Sequence, residues 1–308
     1  MIDSPTTDRL IHAVGLDGRA RAVAVVATDT VEELRRIHDP SPTTTAAIGR
    51  LAMGALVLAG TLEKATHREP MVTLEVSGDG PAGRLVATAS PMGWVRATAA
   101  NPLAAAEPRP DGKLDVAGVV GSRGELVVTR DPGIGEPYRG VVPLCAGELA
   151  QDLAFYLSQS EQTPSAVVLG VLVVPDGRVS HAGGLMLQLL PGVSDDEAEA
   201  LTARIRDMGH VTGRMADGEP PELWLGRIFA DEFEILGEIP ASFRCGCSPE
   251  RVEAGVKLLG AEEIREIIRQ SLEEPVTMTC EFCRSEYPLS TAELRRLLAE
   301  VEEETGVN

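Results

Sequence analysis

The 308-residue sequence predicts an α+β fold with a mixed α/β core domain, a charged helical linker and a small C-terminal domain. Three observations predict this division. Strand-like and helix-like segments follow one another irregularly as far as about Gly192, a strongly charged stretch comes next, and four of the five cysteines lie beyond Phe243. The length also exceeds what one hydrophobic core usually organises, so more than one domain is expected.

Residues 1–192 are predicted to form the N-terminal mixed α/β core domain. A strand is expected at ARAVAVVATD, and a buried helix is expected after Ser41 and Pro42, which supply a cap and a first-turn proline. Two strands around a glycine-rich turn are indicated by MVTLEVSGDGPAGRLVATAS, and helical spacing is found in CAGELAQDLAFYLSQSEQ. Because the strands and helices do not alternate regularly, a repeated βαβ winding is not expected.

Residues 193–242 are predicted to be a charged, metastable helical linker. Ser194 and Glu197 have the spacing of a capping box, and the helix that they open is expected to end at Gly209. Beyond this helix, apolar residues are set among acids and are too few to form a core of their own. The linker therefore needs the surface of one or both neighbours to lie on.

Residues 243–308 are predicted to form the small C-terminal domain. One helix is expected after Ser248, a second at AEEIREIIRQSL, and a third after the capping box of Ser290 and Glu293. A unit of this size buries little apolar area, and such units often depend on a metal ion or on disulfides.

The four clustered cysteines have the spacing of a metal site. The two pairs are Cys245 with Cys247 and Cys280 with Cys283, and thirty-two residues separate the pairs. Four thiolates from two chain segments suit tetrahedral Zn²⁺. The sequence therefore predicts one zinc ion bound by all four cysteines in the reduced protein.

Three roles remain open for this cluster: a structural metal site, a redox site, or a metal site that is itself the redox sensor. Zinc-bound thiolates that solvent reaches are oxidisable, and each pair is close enough in sequence to close a local disulfide. Zinc contributes roughly 10–16 kcal/mol to a small fold. Oxidation that ejects the metal is therefore expected to unfold the C-terminal domain.

Charge and motif content argue against several other functions. The net charge of -19 repels phosphate backbones, and no GxxxxGK[ST] loop for ATP is present. Gly78, Gly80 and Gly83 fit the spacing of a dinucleotide loop, but Pro81 and the strand-like run that follows indicate a hairpin turn. The N-terminus lacks a secretory pattern and Arg50 interrupts the longest apolar segment, so a cytoplasmic protein without a membrane span is expected.

Two alternatives compete with a zinc-based switch. A thiol–disulfide oxidoreductase could use Cys280 and Cys283, although Pro288 delays the next helix beyond the position that such chemistry favours. A zinc ribbon that binds nucleic acid is disfavoured by fourteen acidic against eight basic residues from Arg244 onward. The fifth cysteine, Cys145, is expected to be a small buried residue without reactivity.

These motifs together resemble the 33 kDa chaperonin family, the redox-regulated heat-shock holdase chaperones of bacteria. The resemblance covers nearly the whole chain and rests on the following segments: CGC, CEFC, YLSQSEQTPS, GGLMLQLLPG, HDPSPTTTAAIGR and SGDGP. It implies a molecular chaperone that uses no ATP and is not an enzyme.

The resemblance also implies how such a chaperone is regulated. The reduced form, with zinc held by the four cysteines, would be largely inactive. Peroxide would form the disulfides Cys245–Cys247 and Cys280–Cys283, release zinc, and unfold the linker to expose a surface for unfolding client proteins. The implied active form tends to be a homodimer, and it requires no nucleic acid or membrane.

Overall fold

The computed structural model describes residues 8–63, 65, 67–271 and 274–305. The chain forms two compact units, which meet in sequence between Arg244 and Cys245. This boundary lies two residues beyond the predicted start of the C-terminal domain, and the predicted linker packs as part of the first unit. The division of the chain into three functional parts stays a prediction.

The first unit contains a five-stranded antiparallel sheet, here called sheet A. Its strands are β1 (Arg9–Gly15), β2 (Ala20–Val26), β8 (Ser165–Val173), β9 (Val179–Leu189) and β10 (Phe233–Pro240). Their order is β10-β1-β2-β9-β8. The predicted strand at ARAVAVVATD is β2, and β8 pairs with β9 on either side of the turn at residues 175–177.

A second sheet, sheet B, has six strands. They are β3 (Met71–Gly78), β4 (Arg84–Ala89), β5 (Trp94–Ala99), β6 (Gly124–Asp131), β7 (Tyr138–Pro143) and β11 (Ser242–Phe243). The order is β11-β5-β4-β3-β6-β7, and only the short β11 is parallel to its neighbour. The pair β3–β4 is the predicted hairpin, in which Gly83 adopts a φ of 66°, so the GxGxxG spacing belongs to a turn.

The helices of the first unit differ in what they bury. They are α1 (Thr28–His38), α2 (Pro42–Ala59), α3 (Val116–Val120), α4 (Leu149–Gln159), α5 (Asp195–Met208), α6 (Val211–Ala216) and α7 (Pro221–Phe229). Helix α2 contacts strands of both sheets, and sixteen of its eighteen residues are buried. It is long and apolar enough to cross a membrane, but its burial is that of a core helix.

Helices α5, α6 and α7 cover the face of sheet A that is turned away from α2. Their apolar side chains form one buried cluster with alternate residues of β1, β2 and β9. The strand β2 is therefore buried on both faces, which explains its nearly continuous apolar sequence. The prediction that residues 193–242 need a surface is confirmed, and that surface is sheet A.

Several elements lie where the sequence predicts none, among them β1 and α1, and the strand β10 lies in the linker that is predicted to be helical. Strand β10 pairs with β1 at the edge of sheet A, and all of its residues are exposed or only partly buried. Glu234 and Glu238 interrupt its apolar spacing, so its sequence gives little sign of a strand. Its position depends on pairing with β1, which is more than two hundred residues earlier in the chain.

The described residues of the second unit form three helices and one hairpin. They are α8 (Pro249–Leu258), α9 (Ala261–Gln270), β12 (Val276–Thr279), β13 (Glu286–Leu289) and α10 (Thr291–Thr305), so the three predicted helices are confirmed. Six buried apolar residues form its core: Val256, Ile264, Leu289, Leu294, Leu297 and Val301. This core is small, which agrees with the expectation that the unit depends on a metal ion or on disulfides.

Candidate metal and redox centre

Two chain segments of the second unit carry the four cysteines. Cys245 and Cys247 directly precede α8, whose cap Ser248 accepts a hydrogen bond from the backbone N–H of Arg251 at 3.3 Å. Cys280 and Cys283 lie in the turn between β12 and β13. In that turn, the N–H of Cys280 donates to the carbonyl of Ser285 at 2.9 Å, which holds the ends of the turn together.

The four sulfur atoms converge on one point. All four Sγ atoms lie within 4.8 Å of one another, with 3.7 Å between Cys245 and Cys280 and 3.2 Å between Cys247 and Cys283. A tetrahedral zinc site with Zn–S bonds of about 2.3 Å has sulfur–sulfur distances of about 3.8 Å. A disulfide would instead bring two sulfurs to about 2.05 Å. The donor set and its spacing therefore fit one zinc ion held by four free thiols.

Two of the sulfurs each contact one hydroxyl group. The Tyr287 hydroxyl donates a hydrogen bond to the Sγ of Cys247 at 3.0 Å. The Sγ of Cys283 and the hydroxyl of Ser285 form a hydrogen bond of 3.2 Å. The hydrogen bond to Cys247 raises the pKa of Tyr287 to about 12, so this hydroxyl remains a donor at neutral pH.

The thiols of the cluster differ in their pKa values. Burial raises the pKa of Cys245 to about 12, and burial also raises the pKa of Cys247. Burial acts in the same direction at Cys283, but hydrogen bonds from Ser285 and from neighbouring thiols outweigh it and lower that pKa to about 6. Four adjacent thiolates repel one another, and a bound Zn²⁺ would supply the positive charge that lets all four ionise.

The surroundings of the CxxC pair differ from those of a thioredoxin-like site. Reactive CxxC pairs usually stand at the N-terminus of a helix, whose dipole stabilises a thiolate. Cys280 and Cys283 stand in a hairpin turn, and the next helix, α10, begins only at Thr291. This placement disfavours the oxidoreductase alternative.

The fifth cysteine is not where the sequence predicts it. Cys145 is exposed, because it lies in the loop between β7 and α4 and not in the core, so its expected burial is wrong. Partial shielding of its thiol, together with the Asp152 carboxylate, raises its pKa to about 11. The thiol therefore stays protonated, which agrees with the expected lack of reactivity.

The Ser-Glu-Gln segment has a structural contact of its own. Glu161 accepts two hydrogen bonds from Arg130, at 2.7 and 2.9 Å, and one from the Tyr156 hydroxyl at 3.0 Å. Arg130 and Glu161 are both largely buried, and Arg130 also donates to Thr61 at 2.8 Å. This network links the end of α4 to sheet B, as expected for a structural role.

Comparisons with known proteins place the sequence among chaperonins of this kind. The profile of the family described as Hsp33 protein matches residues 8–290. A 33 kDa chaperonin of Listeria monocytogenes serotype 4a is 39% identical over 297 residues, covering 96% of this chain and 99% of the relative. A 33 kDa chaperonin of Clostridium botulinum is 37% identical over 292 residues, covering 94% and 97%.

A solved structure is similar over the same extent. The crystal structure of the 33 kDa chaperonin (heat shock protein 33 homolog) of Thermotoga maritima superimposes with a TM-score of 0.84 at 30% sequence identity. The match covers 96% of this chain and 99% of that chain. The similarity therefore includes both compact units.

Proposed function

This chain belongs to the Hsp33 family, and on that premise we propose that it is an ATP-independent holdase chaperone activated by oxidation. In the reduced state, Cys245, Cys247, Cys280 and Cys283 bind one zinc ion and the client-binding surface is covered. The observation that carries the proposal is the covering of an apolar sheet face by α5–α7, in a chain that continues into a unit with four convergent thiols.

The covered face of sheet A is suited to unfolding proteins. Eight apolar residues of three strands form it: Ile11, Ala13, Ala20, Ala22, Ala24, Val26, Leu185 and Leu187. An apolar surface of this extent binds other apolar chains when it is exposed, because burial removes it from water. Release of α5–α7 would free this face together with the apolar residues of the helices themselves.

Helices α5–α7, here called the cover, are stabilised on sheet A by ion pairs and destabilised by a buried polar group. Arg19 forms a two-pronged ion pair with Glu197 at 2.7 and 2.8 Å, and Arg9 pairs with Glu222 at 2.8 Å. Against these, the fully buried indole N–H of Trp224 has no hydrogen-bond partner among the described residues. Such a group costs about 1–3 kcal/mol. This balance supports a linker that is only marginally docked.

The proposed chemical step joins thiolates in pairs. Two thiolates, one hydrogen peroxide and two protons give one disulfide and two waters, so an S–S bond forms as the O–O bond breaks. A disulfide no longer offers thiolates to a metal, and two such reactions remove all four ligands. We propose the pairs Cys245–Cys247 and Cys280–Cys283 on the family resemblance. The sulfur contacts of 3.7 Å (Cys245 with Cys280) and 3.2 Å (Cys247 with Cys283) join cysteines of different pairs, so the proposed pairs do not follow from these contacts.

Loss of the ligands would remove most of the stability of the second unit. Zinc contributes roughly 10–16 kcal/mol to such folds, which compares with roughly 5–15 kcal/mol for a whole domain. The six-residue core that remains is small. We propose that the linker, residues 193–242, undocks in the same transition, that the freed surface holds unfolding clients without covalent chemistry, and that the active form is a homodimer.

The resting state fits a reducing compartment. Thiols stay reduced in the cytoplasm, so the proposed location is cytoplasmic and oxidative stress is the proposed signal. The four cysteines of the cluster are free of disulfides and can therefore be oxidised.

Light scattering from a thermally unfolding client protein tests the proposal. We expect the reduced, zinc-loaded chain to leave aggregation unchanged and the peroxide-treated chain to suppress it. Cys145→Ser, which changes a cysteine outside the cluster, should behave as the native chain does. Equal suppression of aggregation by both forms would mean that zinc has only a structural role. Suppression by neither form would refute the proposed chaperone activity. Insulin reduction, measured in parallel, is expected to be absent.

A further inference from the structure

The four sulfur atoms of the cluster do not have equivalent neighbours. Cys247 receives a hydrogen bond from the Tyr287 hydroxyl at 3.0 Å, and Cys283 lies 3.2 Å from the Ser285 hydroxyl. The Sγ of Cys280 contacts that of Cys245 at 3.7 Å, and no hydroxyl of the described chain contacts it. Cys247 and Cys283, which belong to different sequence pairs, are thus each hydrogen-bonded to a hydroxyl.

The fold fixes both hydroxyls in place. Tyr287 lies in β13 opposite Met278 of β12, so the pairing of the hairpin sets its position. Ser285 ends the turn, and its carbonyl accepts the N–H of Cys280 at 2.9 Å. Removing either hydroxyl alone leaves these backbone contacts intact. The side-chain contacts can therefore be tested separately from the hairpin.

A hydroxyl that donates to a thiolate lowers the reactivity of that sulfur. When Cys283 is a thiolate it has no proton to give, so the Ser285 hydroxyl becomes the donor, as Tyr287 is toward Cys247. The hydrogen bond occupies electron density that would otherwise attack an electrophile, and charge-assisted bonds of this kind are the stronger ones. Groups outside the ligand shell tune metal-bound ligands in this manner.

We propose that Tyr287 and Ser285 protect Cys247 and Cys283 from oxidants, so that attack on the CxxC pair begins at Cys280. The inference rests on the proposed function, because it assigns the order of events at the same centre. The Cys280 thiolate, one peroxide and one proton give a sulfenic acid and water. The Cys283 thiolate then attacks that sulfur, and with one proton the disulfide and a second water form. Proximity within the turn offsets the lower reactivity of Cys283 in this second step.

Pulse alkylation of the full-length, reduced, zinc-loaded protein tests the protection. A short exposure to iodoacetamide, followed by mass spectrometry of each cysteine peptide, reports the four sulfurs in one sample. We expect Tyr287→Phe to raise the alkylation rate of Cys247 about three- to tenfold and to leave Cys283 unchanged. We expect Ser285→Ala to do the reverse. Tyr138→Phe removes a tyrosine hydroxyl of the first unit and serves as the matched control.

The outcomes separate protection from loss of structure. A rise at all four cysteines in either variant would indicate a loosened hairpin and would overturn the proposal, as would no change at either site. A dimedone trap after brief peroxide treatment should label Cys280, and labelling of Cys283 in its place would contradict the order. These readouts do not involve clients. If the expected alkylation pattern is found but the oxidised protein does not suppress client aggregation, only the proposed function is refuted.

Discussion

The core around α2 and the second unit are stabilised by different means. Helix α2 buries sixteen of its eighteen residues between two sheets, whereas the second unit has a core of six apolar residues beside four thiols. Oxidants do not act on aliphatic packing, but they convert thiolates into disulfides. One chain thus combines a core that oxidants do not affect with a second unit whose stability oxidation can remove.

The cover formed by α5–α7 is stabilised by apolar packing, as the core is, but it also contains a destabilising buried polar group. Its apolar residues pack on sheet A as tightly as a core does, because glycines in the strands leave room for them. A Cβ added to Gly15 would lie 2.2 Å from the ring of Phe229, and one added to Gly183 would lie 2.6 Å from the sulfur of Met215. The cover is therefore specific in shape, while its buried indole N–H reduces its stability.

Removal of the metal should have the largest effect. Cys280→Ser, or a strong chelator, is expected to unfold the second unit, since it takes away roughly 10–16 kcal/mol. Circular dichroism should lose the helical signal of α8–α10, and zinc analysis should show less than one bound ion. The matched variant Cys145→Ser should change neither. Full retention of the helical signal without zinc would show that the small core suffices.

A cavity in the scaffold should destabilise only the first unit. Leu56 is fully buried in α2, and Leu56→Ala is expected to lower the free energy of unfolding by about 2–5 kcal/mol. Urea denaturation measures this change, and a competing chelator measures zinc affinity in the same variant. The comparison predicts unchanged zinc affinity. A marked weakening of zinc binding would mean that the two units are not stabilised separately.

Overfilling one glycine site should undock the cover without oxidation. Gly15→Ala displaces Phe229, and overpacking of this kind costs about 1–3 kcal/mol. We expect the reduced, zinc-loaded variant to suppress client aggregation at concentrations at which the native chain does not. Gly213→Ala, where an added Cβ meets nothing within 4 Å, is the control and should remain inactive. Equal inactivity of both variants would argue against the covered face as the client surface.

The smallest effect concerns the ion pair at the start of the cover. The hydrogen bond from Arg19, with those from Ser194, lowers the pKa of Glu197 from 4.5 to about 2. Because the folded-state pKa is the lower one, its stabilising contribution is present above pH 4.5 and is lost as the pH falls toward 2. Glu197→Gln should lack this part of the pH dependence. Trp224 fluorescence in a Trp94→Phe background measures it, and identical pH profiles would contradict the assignment.

Local features of the fold were predictable from sequence because neighbouring residues determine them. The Ser194 capping box forms both of its hydrogen bonds, at 3.3 and 2.8 Å, and the cap at Ser41 accepts the N–H of Thr44. The cysteine spacing likewise gave all four members of the cluster, since zinc ligands recur at fixed short separations.

Features that depend on distant pairing were not predictable. Nothing near Tyr287 in the sequence indicates that its hydroxyl reaches Cys247, forty residues earlier. The edge strand β10 and the fit of Phe229 over Gly15 depend in the same way on tertiary packing. The nearly continuous apolar run of β2 is an exception, because it is typical of a strand covered on both faces and so implies that something must cover sheet A.

Amide hydrogen exchange along the chain, before and after peroxide treatment, measures whether oxidation releases the cover together with the second unit. We expect oxidation to remove protection from residues 249–305 and from the cover at 195–229, while α2 and the strands of sheet B remain protected. Loss of protection in the second unit alone would contradict the release of the cover. An unchanged exchange pattern after both disulfides have formed would contradict the switch itself.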